Sequence, residues 1–378
     1  MEKTLKIGFV TPYLSTGGAE RAFLNIANAF FEKGIDVQIV AASVVESTLS
    51  QLPKGMKLID LQHTNPLDSP SFIKNTKALK RYLTAEKPDA VISTSDYLNV
   101  ALIAARFLSG SSCKIIVSQQ VHVGSYLKEL PRLNRMLIQF LQSIVARKAD
   151  AIIGASQGVV NDFIKRYPDA AQHGKMSTIY NPVYEEKIPV MAAESIADDS
   201  FNHLGTKLIT VGRLVKQKDQ VTLLRAFKIL LSTIPDAKLY IIGIGAEEAT
   251  LLKMASELGI TEKVAFLGYK ENPYAYVARA DLFVLSSEYE GFGNVVVEAL
   301  ATGTNVVSTD CPSGPAEILN NGEFGFLCPV GDAEKMSETI VYALQHKISS
   351  GILHNRATSF SKTSVAQQYL QKVKSLFR

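Results

Sequence analysis

Cysteine is scarce in this chain. There are three in 378 residues, Cys113, Cys311 and Cys328, an odd number without metal-ligand spacing. Such a set serves neither a disulfide framework nor a structural zinc site, and a reducing cytoplasm fits it best. No run of about 18 apolar residues occurs, so no membrane-spanning helix is expected. The first residues lead straight into a strand pattern, and a chain without a leader is the expectation. There is no long Lys/Arg run with interleaved aromatics, so nucleic acid is not an expected partner. Internal repeats and low-complexity tracts are absent too.

What the chain does have is apolar substance: 47% hydrophobic residues and 20% charged. That is enough for two domains of ordinary size. The net charge of +4 is uneven. Residues 1–180 hold 21 Lys+Arg against 14 Asp+Glu, or +7, and the rest hold 19 against 22, or −3. A basic first half suits an anionic membrane surface or an anionic substrate. Ordinary surface scatter accounts for it equally well.

Strand-like apolar runs alternate with helical periodicity throughout. In the first half the runs are 6–10, 36–41, 57–61, 90–93, 114–118, 151–155 and 176–180. In the second half they are 207–212, 238–243, 264–267, 282–285, 305–308 and 325–328. This β-α alternation predicts an α/β protein with parallel sheets covered by helices on both faces. Asn181-Pro182-Val183 and the polar stretch 185–202 read as a linker between two doubly wound domains. In such sheets ligands bind outside the carboxyl ends of the strands, and a cleft between domains is the default site.

One segment carries the most chemistry: Glu290-Gly-Phe-Gly-Asn-Val-Val-Val-Glu298, directly after a buried strand pattern at 281–287. The unit is strand, glycine elbow, helix. Backbone amides at such a helix start attract phosphate, and Gly291 and Gly293 allow close approach. A carboxylate would repel phosphate, so Glu290 and Glu298 are better suited to hydroxyls. Phosphate and hydroxyls together suggest a nucleotide-sugar.

Weaker signals surround it. Gly17-Gly18 follow the first strand and suit a diphosphate. The spacing is not Gly-x-Gly-x-x-Gly and no acid ends the second strand, which argues against NAD. A tight turn, with Glu20 favoured by the helix dipole, is the plain alternative. Arg213 and Lys218 lie five apart after a strand and suit a pyrophosphate, one as a fork and one as a point charge. A basic solvated loop would look the same. Gly243-Ile-Gly245 is another Gly-rich turn, and Gly268-Tyr-Lys270 ends a strand where a base could pair or the chain simply turns. His122 follows a strand, and a lone histidine there is more often structural than catalytic. Residues 125–148 read as one amphipathic helix. Leu130, Leu133, Leu137, Phe140, Leu141 and Ile144 form one face, and Lys128, Arg132, Arg135, Arg147 and Lys148 are basic. It suits either a membrane interface or its own sheet.

Taken together, Glu290-Gly-Phe-Gly…Glu298-Ala…Gly303, Gly212-Arg213-Leu…Lys218, Gly17-Gly-Ala-Glu20 and Asn181-Pro182 resemble family 4 glycosyltransferases of the GT-B fold, over essentially the whole chain. Cys311-Pro-Ser-Gly314-Pro315-Ala-Glu317 is similar to bacterial members that build surface polysaccharides or lipid-linked glycans. The resemblance implies an acceptor-binding domain over 1–182, a nucleotide-sugar domain over 183–360 and a helix at 361–378 that crosses back to the first. It implies that Arg213 and Lys218 bind the diphosphate, Glu290 the donor sugar and Glu298 the ribose. Phe292, Gly293 and Asn294 would present amides, Gly17, Gly18, Gly245 and Lys270 would line the donor, and His122 would sit near its sugar. Asn305 stands where the family commonly has proline, which should affect a turn more than chemistry.

The expected reaction is retaining transfer of a hexose or N-acetylhexosamine from a UDP-sugar to a glycan or polyprenyl-linked acceptor. No enzyme nucleophile stands out, so front-face attack is favoured, with the leaving phosphate taking the acceptor's proton. No Asp-x-Asp, the usual holder of a divalent ion on such a diphosphate, is present. The expectation is therefore a metal-independent enzyme without cofactor. It would be cytoplasmic and would associate peripherally with an anionic membrane. A nucleotide-sugar epimerase or hydrolase of the same architecture is the alternative, and a non-catalytic sugar-nucleotide-binding protein is a third.

Overall fold

The computed structural model describes residues 5–13, 18–44, 52–61, 69–196 and 201–378. Two compact units result, Met1–Pro182 with Lys362–Arg378, and Val183–Ser361. The chain therefore passes between them twice, at 182/183 and at 361/362.

The first unit runs β1 (Lys6–Tyr13), α1 (Gly18–Glu32), β2 (Asp36–Ser43), β3 (Lys57–Asp60), α2 (Ser69–Glu86), β4 (Ala90–Ser93), α3 (Asp96–Ser109), β5 (Lys114–Gln119), α4 (Val123–Glu129), α5 (Arg132–Lys148), β6 (Ala151–Gly154), α6 (Gln157–Arg166) and β7 (Met176–Thr178). All seven strands are parallel, in the order β3-β2-β1-β4-β5-β6-β7. β4 and β6 are buried along their whole length. That explains their uninterrupted apolar runs, because a parallel strand with helices on both faces has no wet side. One face packs Leu79, Leu102, Ile115 and Phe163, the other Phe9, Phe30 and Ile39.

Two readings of the sequence need correction. Residues 125–148 do not form one helix: Leu130 is extended (φ −83°, ψ 142°) and Pro131 precedes α5. A residue before proline is driven out of the helical region. The packed face of α5 is Ile138, Leu141, Gln142, Val145 and Ala146. Leu133, Met136, Leu137 and Phe140 are exposed instead. Nor is 185–202 all linker, because Lys187–Ala193 forms α7, with Ile188 and Ala192 buried. Two turns are too few to show periodicity. α7 is tied down by Asn272 and Arg279, whose side chains donate to the carbonyls of Met191 (2.9 Å) and Ala192 (3.0 Å).

The second unit continues with β8 (Lys207–Val211), α8 (Gln220–Leu230), β9 (Lys238–Ile242), α9 (Glu248–Glu257), β10 (Val264–Gly268), α10 (Tyr274–Val277), β11 (Leu282–Leu285), α11 (Asn294–Ala301), β12 (Val306–Thr309), α12 (Pro315–Ile318), β13 (Phe326–Cys328), α13 (Ala333–Gln345) and α14 (Ser350–Thr358). Its parallel sheet has the order β10-β9-β8-β11-β12-β13. The strand order reverses between β8 and β11, which is where open α/β sheets leave a crevice for ligand. The last helix, α15 (Lys362–Ser375), belongs to the first unit. It buries Ala366, Tyr369 and Val373 there, and the Tyr369 hydroxyl lies 3.1 Å from Ser118 Oγ on β5.

Candidate active site

The site of the second unit is built on the loops after β8 and β11, the two strands flanking the order reversal. After β8 the chain makes a single 3-10 turn, Lys216–Lys218, and Asp219 then takes a left-handed conformation (φ 42°). Asp is among the few side chains that tolerate this region. Its carboxylate accepts from the Thr222 amide at 3.2 Å and so caps α8. The turn is stitched to the loop after β11 by three bonds. Ser286 Oγ donates to the Lys218 carbonyl (2.8 Å), the Gln217 side chain donates to the Tyr289 carbonyl (2.9 Å), and the Glu288 amide donates to the Gln217 carbonyl (2.9 Å).

This framework brings Lys218 and Glu290 together, 72 positions apart in sequence. Lys218 Nζ donates to Glu290 Oε1 at 2.5 Å, and Ser287 Oγ donates to the same oxygen at 2.7 Å. Their side chains are 13% and 8% exposed. A pair this deep is electrostatically coupled, and removing one partner strands the other in a poor solvent.

Behind Glu290 the elbow is braced by the loop after β12. Ser313 Oγ donates to the Glu290 carbonyl. Gly314 (φ 91°) packs so closely that a Cβ there would stand 1.9 Å from the Phe292 carbonyl oxygen. Phe292 is 2% exposed and meets Phe360 edge-on, with ring centroids 5.4 Å apart. Gly293 (φ 94°) starts α11 and supplies no side-chain cap, which suits a helix start that faces an anion. Asn294 is the first residue of α11. Glu298 lies one turn further on, half-buried, with Tyr274 Oη 3.5 Å from its carboxylate. Cys311 is buried near Glu290, and its thiol is pushed up to about 12, first by burial and then by the charge of that carboxylate. Asn305 clamps the chain beyond α13: its side chain donates to the Ile348 carbonyl and accepts from the Ile348 amide.

Arg213 is exposed on the loop after β8. A Cβ at Gly245 would lie 2.2 Å from the Leu214 carbonyl oxygen, so the protein's own backbone requires glycine there. Lys270 lies 5.4 Å above the Tyr276 ring.

His122 and Gly18 belong to the first unit. Gly18 is the exposed first residue of α1, and Gly17 lies outside the described residues. His122 caps α4: its Nδ1 accepts from the Ser125 amide at 3.2 Å, and its Nε2 faces Asp162 Oδ1 at 3.7 Å. Asp162 is further held by the Gly124 amide (2.8 Å) and Arg166 (3.0 Å). Burial pushes His122 below the usual histidine range, while Asp162 pulls it back up. Both ring nitrogens therefore face groups of this unit, and the arrangement fits a neutral ring with its proton on Nε2.

Sequence reasoning missed Ser287, Ser313, Gln217 and Asp219 as supports of the site. The only trace was Ser286-Ser287, a polar pair closing an apolar strand.

The model of Glycosyltransferase Family 4 matches residues 16–187, and that of Glycosyl transferases group 1 matches residues 193–361. The N-acetylgalactosamine-N,N'-diacetylbacillosaminyl-diphospho-undecaprenol 4-alpha-N-acetylgalactosaminyltransferase of Campylobacter jejuni is 29% identical, with 97% of this chain and 98% of that protein covered. The lipopolysaccharide core biosynthesis glycosyltransferase LpsE of Rhizobium meliloti is 25% identical, with 95% and 96% covered. Among solved structures, HepE of Anabaena in complex with UDP-glucose superposes with a TM-score of 0.78 at 20% identity, covering 98% of this chain and all of that one. These matches span both units, and the chain belongs to family 4 of the glycosyltransferases, with the GT-B fold.

Proposed function

We propose that this enzyme transfers a hexose or N-acetylhexosamine from a UDP-sugar to a saccharide carried on a polyprenyl diphosphate, with retention at the anomeric carbon and without a metal ion. The observation that carries the reading is the buried Lys218–Glu290 pair at the strand-order reversal, beside the start of α11. Lys218 and Arg213 are the cations for the departing diphosphate, and the start of α11 adds the positive end of a helix dipole. Glu290 is fixed by Ser287 and Lys218 and accepts hydroxyls of the donor sugar. Glu298 does so for the ribose. Glu290 is already engaged on one oxygen, so it orients the sugar rather than attacks it. The leaving phosphate oxygen takes the acceptor's proton on the same face. His122, whose Nδ1 accepts from the Ser125 amide, positions the loop before α4.

The relative from C. jejuni is named for transfer of N-acetylgalactosamine onto a diphospho-undecaprenol-linked sugar, and HepE has been seen with UDP-glucose. Both names support the donor and acceptor classes. In this reading the second unit takes the donor and the first the acceptor. The enzyme works at the cytoplasmic face of the membrane. Exposed Leu133, Met136, Leu137 and Phe140 on α5, beside Arg132, Arg147 and Lys148, supply an apolar and basic surface for anionic lipid.

The test is transfer from labelled UDP-N-acetylgalactosamine, UDP-N-acetylglucosamine, UDP-galactose and UDP-glucose to a polyprenyl-diphosphate-linked saccharide, with the new anomeric centre read by NMR. An α-linked product from one of these donors is expected. A β-linked product, or release of free sugar at the same rate with and without acceptor, would overturn the reading.

A further inference from the structure

The carboxyl edge of the first unit holds a polar cluster that no step above uses. Asp96 opens α3 directly after β4, Gln119 ends β5, and Gln142 comes up from α5. Gln142 Nε2 donates to Asp96 Oδ1 at 2.5 Å and to Gln119 Oε1 at 3.4 Å. Both of its N–H groups are thereby spent. Its carbonyl oxygen has no partner among the described residues, although the residue is 1% exposed. Asn99, one turn along α3 from Asp96 and also 1% exposed, likewise has an unpartnered side-chain carbonyl. Buried polar atoms are satisfied in nearly all cases, and the exceptions call for an explanation.

The unfilled capacity of Asp96, Gln142 and Asn99 is of one kind. A carboxylate and two amide carbonyls accept hydrogen bonds and donate none. A phosphate brings only acceptors and is repelled by Asp96. A neutral ligand with several hydroxyls brings the missing donors. Asp96 keeps partial contact with solvent, so a ligand can reach it. Tyr126 and Tyr167 are close enough for the charge of Asp96 to add to burial in raising both phenols. The Tyr167 hydroxyl, which can donate or accept, also has no partner among the described residues. Aromatic faces beside hydrogen-bonding groups are the usual lining of a small-molecule site. The position also fits, since β4 borders β1 where the strand order of this sheet reverses.

We propose that Asp96, Gln142 and Asn99 form a saccharide subsite that binds hydroxyls of the acceptor glycan. The assignment to the acceptor rests on the transfer reaction proposed above; the preference for a hydroxyl-rich neutral ligand does not.

The experiment compares wild type with Asp96→Asn and Asn99→Ala. Asn at 96 preserves shape and still accepts from Gln142 but lacks the charge. Hydrogen bonds to charged groups are worth a factor of roughly 10–100 in binding. With UDP-N-acetylgalactosamine and a polyprenyl-diphosphate-linked saccharide, Asp96→Asn is expected to raise KM for the acceptor by about 10-fold or more. Donor KM and the thermal shift produced by UDP stay as in wild type. Asn99→Ala moves acceptor KM in the same direction by a smaller factor. In parallel, saturation-transfer NMR with methyl α-N-acetylgalactosaminide is expected to show contact with wild type and none with Asp96→Asn. Unchanged acceptor KM in both variants, or equal NMR contact with wild type and Asp96→Asn, would overturn the subsite. If wild type transfers nothing but binds the methyl glycoside through Asp96, the subsite stands and the transfer reading falls.

Discussion

Lys218→Ala is the most informative single perturbation, because the structure predicts two separate losses. The first is catalytic. A fixed cation that meets charge developing on the leaving diphosphate acts more strongly in the transition state than in the ground state. Its removal lowers kcat and not only donor affinity. By comparison with oxyanion-type donors, the loss is about 10²–10³ in kcat. The second is structural. Glu290 is 6% exposed, and without Lys218 it keeps, among the described residues, only the Ser287 hydroxyl on Oε1. Stranding one member of a buried pair costs about 3–5 kcal/mol. Lys218 retains 13% side-chain exposure, so the lower figure, about 3 kcal/mol, is the better expectation here. For a unit of this size that corresponds to roughly 6–12 °C in Tm.

The two losses separate in a double-mutant cycle with Glu290→Gln, scored by steady-state kinetics and by thermal unfolding. The double variant is expected to be more stable than the sum of the singles by at least about 1 kcal/mol, since neither charge is left alone. It is expected to stay as slow as Lys218→Ala. Two results would refute the reasoning. If Lys218→Ala raised donor KM and left kcat intact, the residue would be a binding contact only. If the stability effects simply added, the pair would not be the coupled buried unit described.

Glu298→Ala is expected to raise donor KM with little change in kcat, which competition by UDP would report. Transfer is expected to persist in excess EDTA; full loss restored only by Mg²⁺ or Mn²⁺ would show that the cations of the second unit do not suffice. Flotation with liposomes should show binding to anionic but not neutral vesicles, weakening with salt, and Leu137→Glu with Phe140→Glu should abolish it. Burial pushes Asp96 up to about 6, above the ordinary 3.8. The folded chain then holds that proton more tightly than the unfolded one, so this contribution is full below the unfolded value and is lost as pH rises towards 6. The shift is worth roughly 3 kcal/mol, less about 0.3–1 for the favourable start of α3, so Asp96→Asn is expected to be more stable than wild type at pH 7 by roughly 2 kcal/mol. A lower Tm at pH 7 would show that the carboxylate supports the fold.

Much of the architecture was legible because of one physical circumstance. Strands buried on both faces write themselves as continuous apolar runs, and β4 and β11 are read from sequence with the ends they have in the structure. What failed was local and short. α7 is two turns long, and the break at Pro131 was hidden by an apolar pattern that continues across it. The carboxylates and cations of the second unit were legible as types but not as partners. That Lys218 meets Glu290 follows from β8 lying beside β11, a neighbour relation that no local spacing encodes. The support from Ser313 depends likewise on β12 lying next to β11. Asp96 was invisible for a different reason. An acid at the start of a helix is so well accounted for by the helix dipole that nothing marks it out until Gln142 is seen to arrive from α5.

Gly293 and Gly245 look alike on paper, each in a turn between a strand and a helix. In the structure they answer to different demands. Gly293 has a left-handed φ of 94°, and the nearest atom to a Cβ there would be 3.5 Å away on Pro315. Its own backbone conformation requires glycine, and the space in front of α11 is not taken by neighbouring backbone. Gly245 is required by the Leu214 carbonyl, 2.2 Å from where a Cβ would stand. A glycine in sequence reports that some backbone comes close or turns sharply. Only the neighbours decide whether the approach is reserved for a ligand, and by that criterion Gly293 remains a donor-site candidate while Gly245 is explained by the loop it packs on.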